Sequence, residues 1–218
     1  AASDVYKRQG QGETTAVVNQ LGHASYFGYD GDHDLVYSVD ANNHAVANVY
    51  QYVGPNQSTG LLVYTVRGPI DNTGAITTAY AYDANNNLVA AVGGTGGLTY
   101  YFYDGHHSVI TTTQQLRPSG PWRGTVNLLD QYGEVTGTVD GRGVLVPTPA
   151  PGVTPTATLS PTSALYLRQW GYDAQGDLTS SSTPPITTTL NGQLRPNLAA
   201  TTVYSYDADG TLSAQSTP

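Results

Sequence analysis

The residues of this chain that could do chemistry are few, and the first group is DGDHD at 30–34, which sets Asp30, Asp32 and Asp34 at alternate positions. Alternating carboxylates open a calcium loop of the EF-hand kind, but such a loop continues with Gly and closes on Glu, where this chain has Leu35 and Ala41. The three aspartates are therefore a metal candidate with an incomplete ligand set, and a tight turn accounts for the same residues. GGTGG at 93–97 resembles a phosphate-cradling loop, yet no Lys and Ser or Thr follow it, and a calcium β-roll would need Asp where Leu98 or Thr99 stands. A hairpin connection is the simpler reading.

Histidines occur at His23, His33, His44, His106 and His107, scattered among turn residues rather than spaced to converge on zinc. Glycoside chemistry needs two facing carboxylates, and the only glutamates are Glu13 and Glu134. No Ser, His and Asp arrangement has supporting spacing, and the absence of cysteine excludes a thiol nucleophile, a disulfide framework and a thiolate metal site. No catalytic or cofactor-binding residue is assigned, no cofactor is expected, and the reading is of a protein that is not an enzyme.

The elements that carry these residues form a repeat. Nine aspartates, Asp30, Asp40, Asp71, Asp83, Asp104, Asp130, Asp140, Asp173 and Asp207, follow an apolar residue and precede, three places on, His33, Asn43, Gly74, Asn86, His107, Gly133, Gly143, Gly176 and Gly210. Gly, Asn and His tolerate positive φ, so that slot reads as left-handed backbone. Asp opening a type I turn, followed by a left-handed residue, predicts a hairpin loop with a bulge at every copy. The geometry places Tyr82 across from Leu88, Tyr103 from Val109, Tyr172 from Leu178 and Tyr206 from Leu212, each pair contributing roughly 0.2 to 1 kcal/mol. Two residues further back, Phe27, Tyr37, Tyr80, Tyr101, Trp170 and Tyr204 predict an aromatic row on one face.

Composition agrees. Only 11% of the 218 residues are charged, while Gly, Thr, Tyr, Val and Asn abound, which suits short strands and turns rather than helices. The expected class is all-β: tandem hairpins forming a long antiparallel sheet, with no substantial helix. A formal charge of −8 argues against a nucleic-acid partner. No apolar run approaches the roughly 18 residues of a membrane helix, so no membrane insertion is expected.

Four segments are expected. Residues 1–9, AASDVYKRQ, match the in-frame translation of a transposase sequencing adaptor and hold the only lysine, Lys7, so they are read as an artefact ahead of an internal piece of a longer reading frame. Residues 10–145 form a β-array, 146–164 a Pro/Thr-rich extended or disordered insertion leaving the sheet, and 165–218 continue the array. QLRP recurs at 115–118 and 193–196, which reads as drifted tandem duplication.

Tyr-Asp dipeptides followed by Gly or Asn and an aliphatic residue resemble the YD repeats of the Rhs family, also present in teneurins and in the shell component of insecticidal toxin complexes. The resemblance covers about residues 20–214, with five full copies and four in which Asp40, Asp71, Asp130 and Asp140 follow Val, Ile, Leu and Val. The Arg common after the turn in this family is absent from the full copies, and no Asp-Pro dipeptide of the autoproteolytic kind occurs. The resemblance implies a β-ribbon spiralling into a secreted or surface-displayed bacterial shell. Its partners would be neighbouring repeats and an enclosed C-terminal toxic segment of the same polypeptide. The alternative is a repeat module of a large surface adhesin, presenting tyrosines to glycans or cell-surface proteins.

Overall fold

Strand and turn alternate throughout the computed structural model, which describes residues 5–8, 10, 12–55, 57–69, 74–184, 186–190 and 193–217. Nearly all of it is β structure, with one short 3-10 turn at Ser163–Tyr166 and no α-helix among the described residues. Contacts divide the chain into two units, residues 1–98 and 99–218.

The first unit contains β1 (Val5–Arg8), β2 (Thr14–Val18), β3 (Ala24–Tyr29), β4 (Leu35–Val39), β5 (His44–Gly54), β6 (Gln57–Pro69), β7 (Ile76–Tyr82) and β8 (Leu88–Val92). They pair antiparallel in chain order. The second contains β9 (Leu98–Tyr103), β10 (Val109–Gln115), β11 (Trp122–Leu129), β12 (Val135–Val139), β13 (Val144–Leu145), β14 (Thr158–Leu159), β15 (Leu167–Tyr172), β16 (Leu178–Ser182), β17 (Ile186–Leu190), β18 (Gln193–Leu198), β19 (Thr201–Tyr206) and β20 (Leu212–Ser216). Its sheet runs β9-β10-β11-β12-β15-β16-β19-β20, while β13 pairs with β14 and β17 with β18 as separate ribbons.

The turns follow from the Asp side chain. Asp83 Oδ1 accepts the N–H groups of Asn85 and Asn87, both at 2.9 Å, and the backbone closes with Asn86 N–H to Asp83 C=O at 3.1 Å. Asp30, Asp40, Asp104, Asp130 and Asp173 each grip the amides two and four residues on in the same way. His33, Asn43, Asn86, His107, Gly133, Gly176 and Gly210 all take positive φ. Tyr82 lies across from Leu88, Tyr172 from Leu178 and Tyr206 from Leu212, each beside a register shift that leaves one extra residue on the returning strand.

Two turns escaped the aspartate pattern. Asn19 accepts the amides of Leu21 and His23 with Gly22 at φ 82°, and Gly93 closes on Gly97 at 2.7 Å with Gly96 at φ 78°. GGTGG is thus another copy of the turn. Asn does what Asp does there, and at Gly93 the backbone makes the loop without a side-chain clamp.

Two copies depart from the hairpin rule. Asp71 lies outside the described residues; Gly74 is left-handed at φ 68°, but Ile76 pairs with Arg67 rather than with residue 70, so the register is three residues away from the one the repeat predicts. At Asp140 the turn starts, with Gly143 N–H to Asp140 C=O at 2.9 Å, and then opens: Val139 pairs with Leu167, and Asp140 N–H reaches Tyr166 C=O at 3.4 Å. Gly143 is not left-handed. Glycine is needed there for space, since a Cβ would stand 2.5 Å from Val139 Cγ1 and 3.1 Å from Tyr166 Cβ.

An antiparallel meander places successive turns at alternate ends of its strands. In the first unit Asp30 and Asp83 share one rim, with Asn19, Asp40 and Gly93 at the other. In the second, Asp104, Asp130, Asp173 and Asp207 share a rim, while the 116–121 loop, the Asp140 opening and the β17–β18 ribbon lie at the opposite one. The five full Tyr-Asp copies therefore all occupy one kind of rim, the tyrosine rim. This corrects the aromatic row: Tyr37 pairs with Gly28 whereas Phe27 pairs with Ser38, so Tyr37 points to the face opposite Phe27. Counting back from a turn on the other rim lands on the other face.

Little of the array is deeply buried. In the second unit the sealed residues cluster where the insertion lies: Val139 is 2% exposed, Thr113 0% and Val144 6%. The chain between Val144 and Ser160 does not project from the sheet but lies across β11, where a Cβ on Gly124 would meet Val144 Cγ1 at 2.7 Å, Val146 Cγ2 at 2.8 Å and Ala157 Cβ at 3.0 Å. Thr113 Oγ1 donates to Pro155 C=O at 3.4 Å. Each proline of the strap offers a carbonyl and no N–H, which reduces the number of backbone donors the strap must satisfy. The QLRP copies are not equivalent: Gln115 ends β10 opposite Trp122, whereas Gln193 begins β18 opposite Leu190.

Candidate functional site

The recurring site is the tyrosine before the turn aspartates Asp30, Asp83, Asp173 and Asp207. Its ring packs on the hairpin, and its hydroxyl crosses to the neighbouring hairpin. Tyr29 donates to Thr14 C=O at 3.3 Å and Tyr82 to Leu62 C=O at 3.1 Å in the first unit. In the second, Tyr172 donates to Val135 C=O at 3.3 Å and Tyr206 to Leu178 C=O at 2.9 Å.

A single geometric rule covers these bonds. Pairing between neighbouring hairpins ends at Ala16 with Tyr26, Tyr64 with Ala79, Gly137 with Gln169 and Ser180 with Val203. Each accepting carbonyl lies two residues beyond the last pair on one strand, and each tyrosine three residues beyond it on the other. The acceptor also follows a left-handed residue by two: Gly12, Gly60, Gly133 and Gly176 precede Thr14, Leu62, Val135 and Leu178. The strands diverge at the rim, a backbone N–H no longer reaches, and the phenol spans the gap. An unmade bond at a part-buried carbonyl is costly, which is why an aromatic with a hydroxyl recurs here.

Exceptions support the rule. Leu129 precedes Asp130 and has no hydroxyl, and Asn127 Nδ2 donates instead to Val109 C=O at 2.9 Å. Between β4 and β5, Leu35 C=O receives both Asn48 Nδ2 at 2.9 Å and Tyr50 Oη at 3.2 Å. The repeat pattern does not single out Asn127; its signal in the sequence is an amide two residues before the position where tyrosine is missing.

The tip of the β5–β6 hairpin engages Asp30, Asp32 and Asp34 one by one. Tyr52 Oη donates to Asp30 Oδ2 at 2.5 Å, Ser58 N–H to Asp32 Oδ2 at 2.6 Å, and Ser58 Oγ to Asp34 Oδ2. Burial alone would raise the Asp30 carboxyl, but the Tyr52 hydroxyl and the amides of Asp34 and Asp32 outweigh it and hold it low. The same bond pushes Tyr52 up to about 12. No three His, Asp or Glu side chains among the described residues are grouped to hold a metal ion. The histidines sit in turns or, as His44 does, at a strand end beside one: His33 Nδ1 lies 2.7 Å from Glu13 Oε1 and His44 Nδ1 3.1 Å from Asp40 Oδ2.

On the tyrosine rim of the second unit carboxylates crowd together. Burial, then the Asp130 carboxylate, then the charge of Asp173 raise the Glu134 carboxyl. At the opposite rim a cleft of about 600 Å³ is lined by Thr112, Gln114, Arg123, Thr125, Asp140 and Arg142. Arg142 pairs with Asp140 at 2.8 Å and lies over the Tyr166 ring, 4.8 Å from its centre. These groups can bind polar matter, but no nucleophile stands beside a base.

The architecture is that of a repetitive antiparallel β-array whose recurrent polar groups serve the backbone of the preceding hairpin. Its fold is similar to that of toxin-complex structures. One is a Photorhabdus luminescens Tc holotoxin pore carrying a TccC3 mutation, with TM-score 0.62 and 14% identity over 90% of this chain and 9% of that one. Crystal structures of TcdB2-TccC3-Cdc42 and of TcdB2-TccC3 without its hypervariable C-terminal region each give TM-score 0.61 and 13% identity over 98% of this chain and 11% of theirs. The chain thus spans about a tenth of the length of those chains. No protein-family model matches it, and no curated protein matches it in sequence.

Proposed function

We propose that this chain is a non-catalytic structural segment of an Rhs/YD-repeat shell, secreted or displayed on a bacterial surface, that encloses and helps deliver a toxic or effector segment of the same polypeptide. The observation that carries the reading is the rung of tyrosine hydroxyls. Tyr29, Tyr82, Tyr172 and Tyr206 direct their polar ends at neighbouring backbone, so they join hairpins rather than offer themselves to a glycan. The similarity in fold to Tc toxin structures supports the same role, although fold alone does not carry function across. The mechanism is steric: lateral hydrogen bonding extends the wall, and closure of the wall removes open edges and excludes solvent from a cargo.

The test is electron microscopy and limited proteolysis of the uninterrupted reading frame that contains this segment. A closed shell with an internal segment protected from protease until the shell is breached is expected. An open ribbon with every segment cleavable at the same rate overturns the proposal, and specific retention of the chain on a glycan array would favour the adhesin.

A further inference from the structure

Charge in the second unit is sorted by rim. Residues 99–218 hold eight acids and five arginines. Every acid but Asp140 belongs to a turn of the tyrosine rim, whereas Arg117, Arg123, Arg142, Arg168 and Arg195 belong to the loops, strand ends or ribbon of the opposite rim. Four of these arginines form one exposed patch. Arg117 and Arg123 line a shared hollow with Leu116, and Arg123 and Arg142 line the cleft beside Asp140. The Asp140 carboxyl is held low first by the Arg142 side-chain bond, against burial, and then by the charges of Arg142 and Arg168, which places Arg168 at the same spot. Among the described residues Arg142 alone of the four has an ion-pair partner. Leucines flank the patch on both loops: Leu116 is 57% exposed, and Leu165, one residue before the ring that Arg142 covers, 41%.

We propose that the arginine rim of the second unit is a docking surface for an anionic lipid bilayer, with Arg117, Arg123 and Arg168 on headgroup phosphates and Leu116 and Leu165 entering the interface. A guanidinium takes phosphate through two N–H groups, and an exposed leucine gains only where apolar matter lies behind the charge, so arginines beside aliphatic loop tips fit phosphate backed by hydrocarbon. An acidic peptide fits less well: β10, β11, β12 and β15 have partners on both sides, so no strand at the patch offers an open edge to a peptide backbone. The acids of the tyrosine rim do not cancel the attraction. β11 has eight residues, which at about 3.3 Å each hold the rims roughly 26 Å apart, about three times the ~8 Å screening length of physiological salt. An acidic chain therefore docks in one orientation, arginine rim down. The contact is peripheral and needs no membrane-spanning segment.

The test is sedimentation of the full chain with vesicles of phosphatidylcholine, alone or mixed with phosphatidylserine. Binding to the mixed vesicles only, weakening as salt rises, is expected. Arg123→Gln and Arg168→Gln should each weaken it about fivefold, and Leu116→Ser should weaken it while leaving its salt dependence unchanged. Arg67→Gln, which removes the same charge from an exposed residue of β6 in the first unit, should leave binding as it was. Equal binding to both vesicle types, binding to neither, or equal losses from Arg67→Gln and Arg123→Gln overturns the proposal. So does retention on immobilised polyglutamate without binding to vesicles, which would assign the rim to an acidic protein, or release from vesicles by inorganic phosphate at fixed ionic strength, which would assign it to a free anion.

Discussion

The Tyr82 hydroxyl donates to the Leu62 carbonyl at 3.1 Å, from a strand whose last backbone pair with β6, Tyr64 with Ala79, lies three residues earlier. Tyr82 thereby serves two hairpins: its ring packs across from Leu88 in its own, and its oxygen closes the rim of the one before. Burial pushes its phenol up from the ordinary range, as expected of a hydroxyl held as a donor.

Tyr82→Phe keeps the cross-strand pair and removes the bond. It should lower stability by about 0.5 to 1.5 kcal/mol in denaturant unfolding. Tyr132→Phe, at a residue 80% exposed in the turn at Asp130, should change nothing measurable. Equal effects from the two would show that the hydroxyl has no structural role.

Asn127 replaces the tyrosine missing at position 129. Asn127→Ala should cost about 1 kcal/mol, and adding Leu129→Tyr should restore part of it by returning the phenol to the Val109 carbonyl. Strict additivity of the two substitutions in a double-mutant cycle would contradict a shared acceptor.

Gly124→Ala places a methyl 2.7 to 3.0 Å from Val144, Val146 and Ala157. Overpacking of this kind costs about 1 to 3 kcal/mol. The strap has the most room to move, so faster thermolysin cleavage between residues 144 and 160 should accompany the loss. A variant with unchanged cleavage and melting temperature would place the strap elsewhere.

Glu134 gives a pH dependence opposite to that of the turn aspartates. Its carboxyl is raised in the fold, so its protonated form favours folding; that contribution is full below the ordinary value of 4.5 and lost as pH rises through the raised one. Asp40 and Asp104 are depressed, chiefly by the amides of His44 and Ser108, so their stabilisation is present above the ordinary 3.8 and lost as pH falls through the lowered values. Glu134→Gln should therefore raise the melting temperature at pH 7, with the gain vanishing as pH falls below 4.5. A gain that persists there would show that charge is not its cause.

Much of the local structure was legible because each turn is written in five consecutive residues. An Asp that grips two amides and a residue that tolerates positive φ are local requirements, so Asp83 and Asn86 announce their geometry without reference to the rest of the chain. Gly93 was harder to read, since a backbone loop with no clamp leaves only glycines as a trace. Asp140 was misread as a hairpin because its residues match the pattern, and only the packing of Gly143 against Val139 and Tyr166 reveals that the chain turns out of the ladder.

By itself the sequence determined an all-β chain of repeated turns, since turn chemistry and strand period act between near neighbours. The tertiary structure alone decided which rim each turn occupies, that Asn127 substitutes for an absent tyrosine, that a Pro/Thr-rich insertion covers Gly124, and where each tyrosine hydroxyl goes. Those facts depend on partners 15 to 42 residues away, as from Tyr29 to Thr14 and Thr113 to Pro155, and on the alternation of ends that only a completed meander defines.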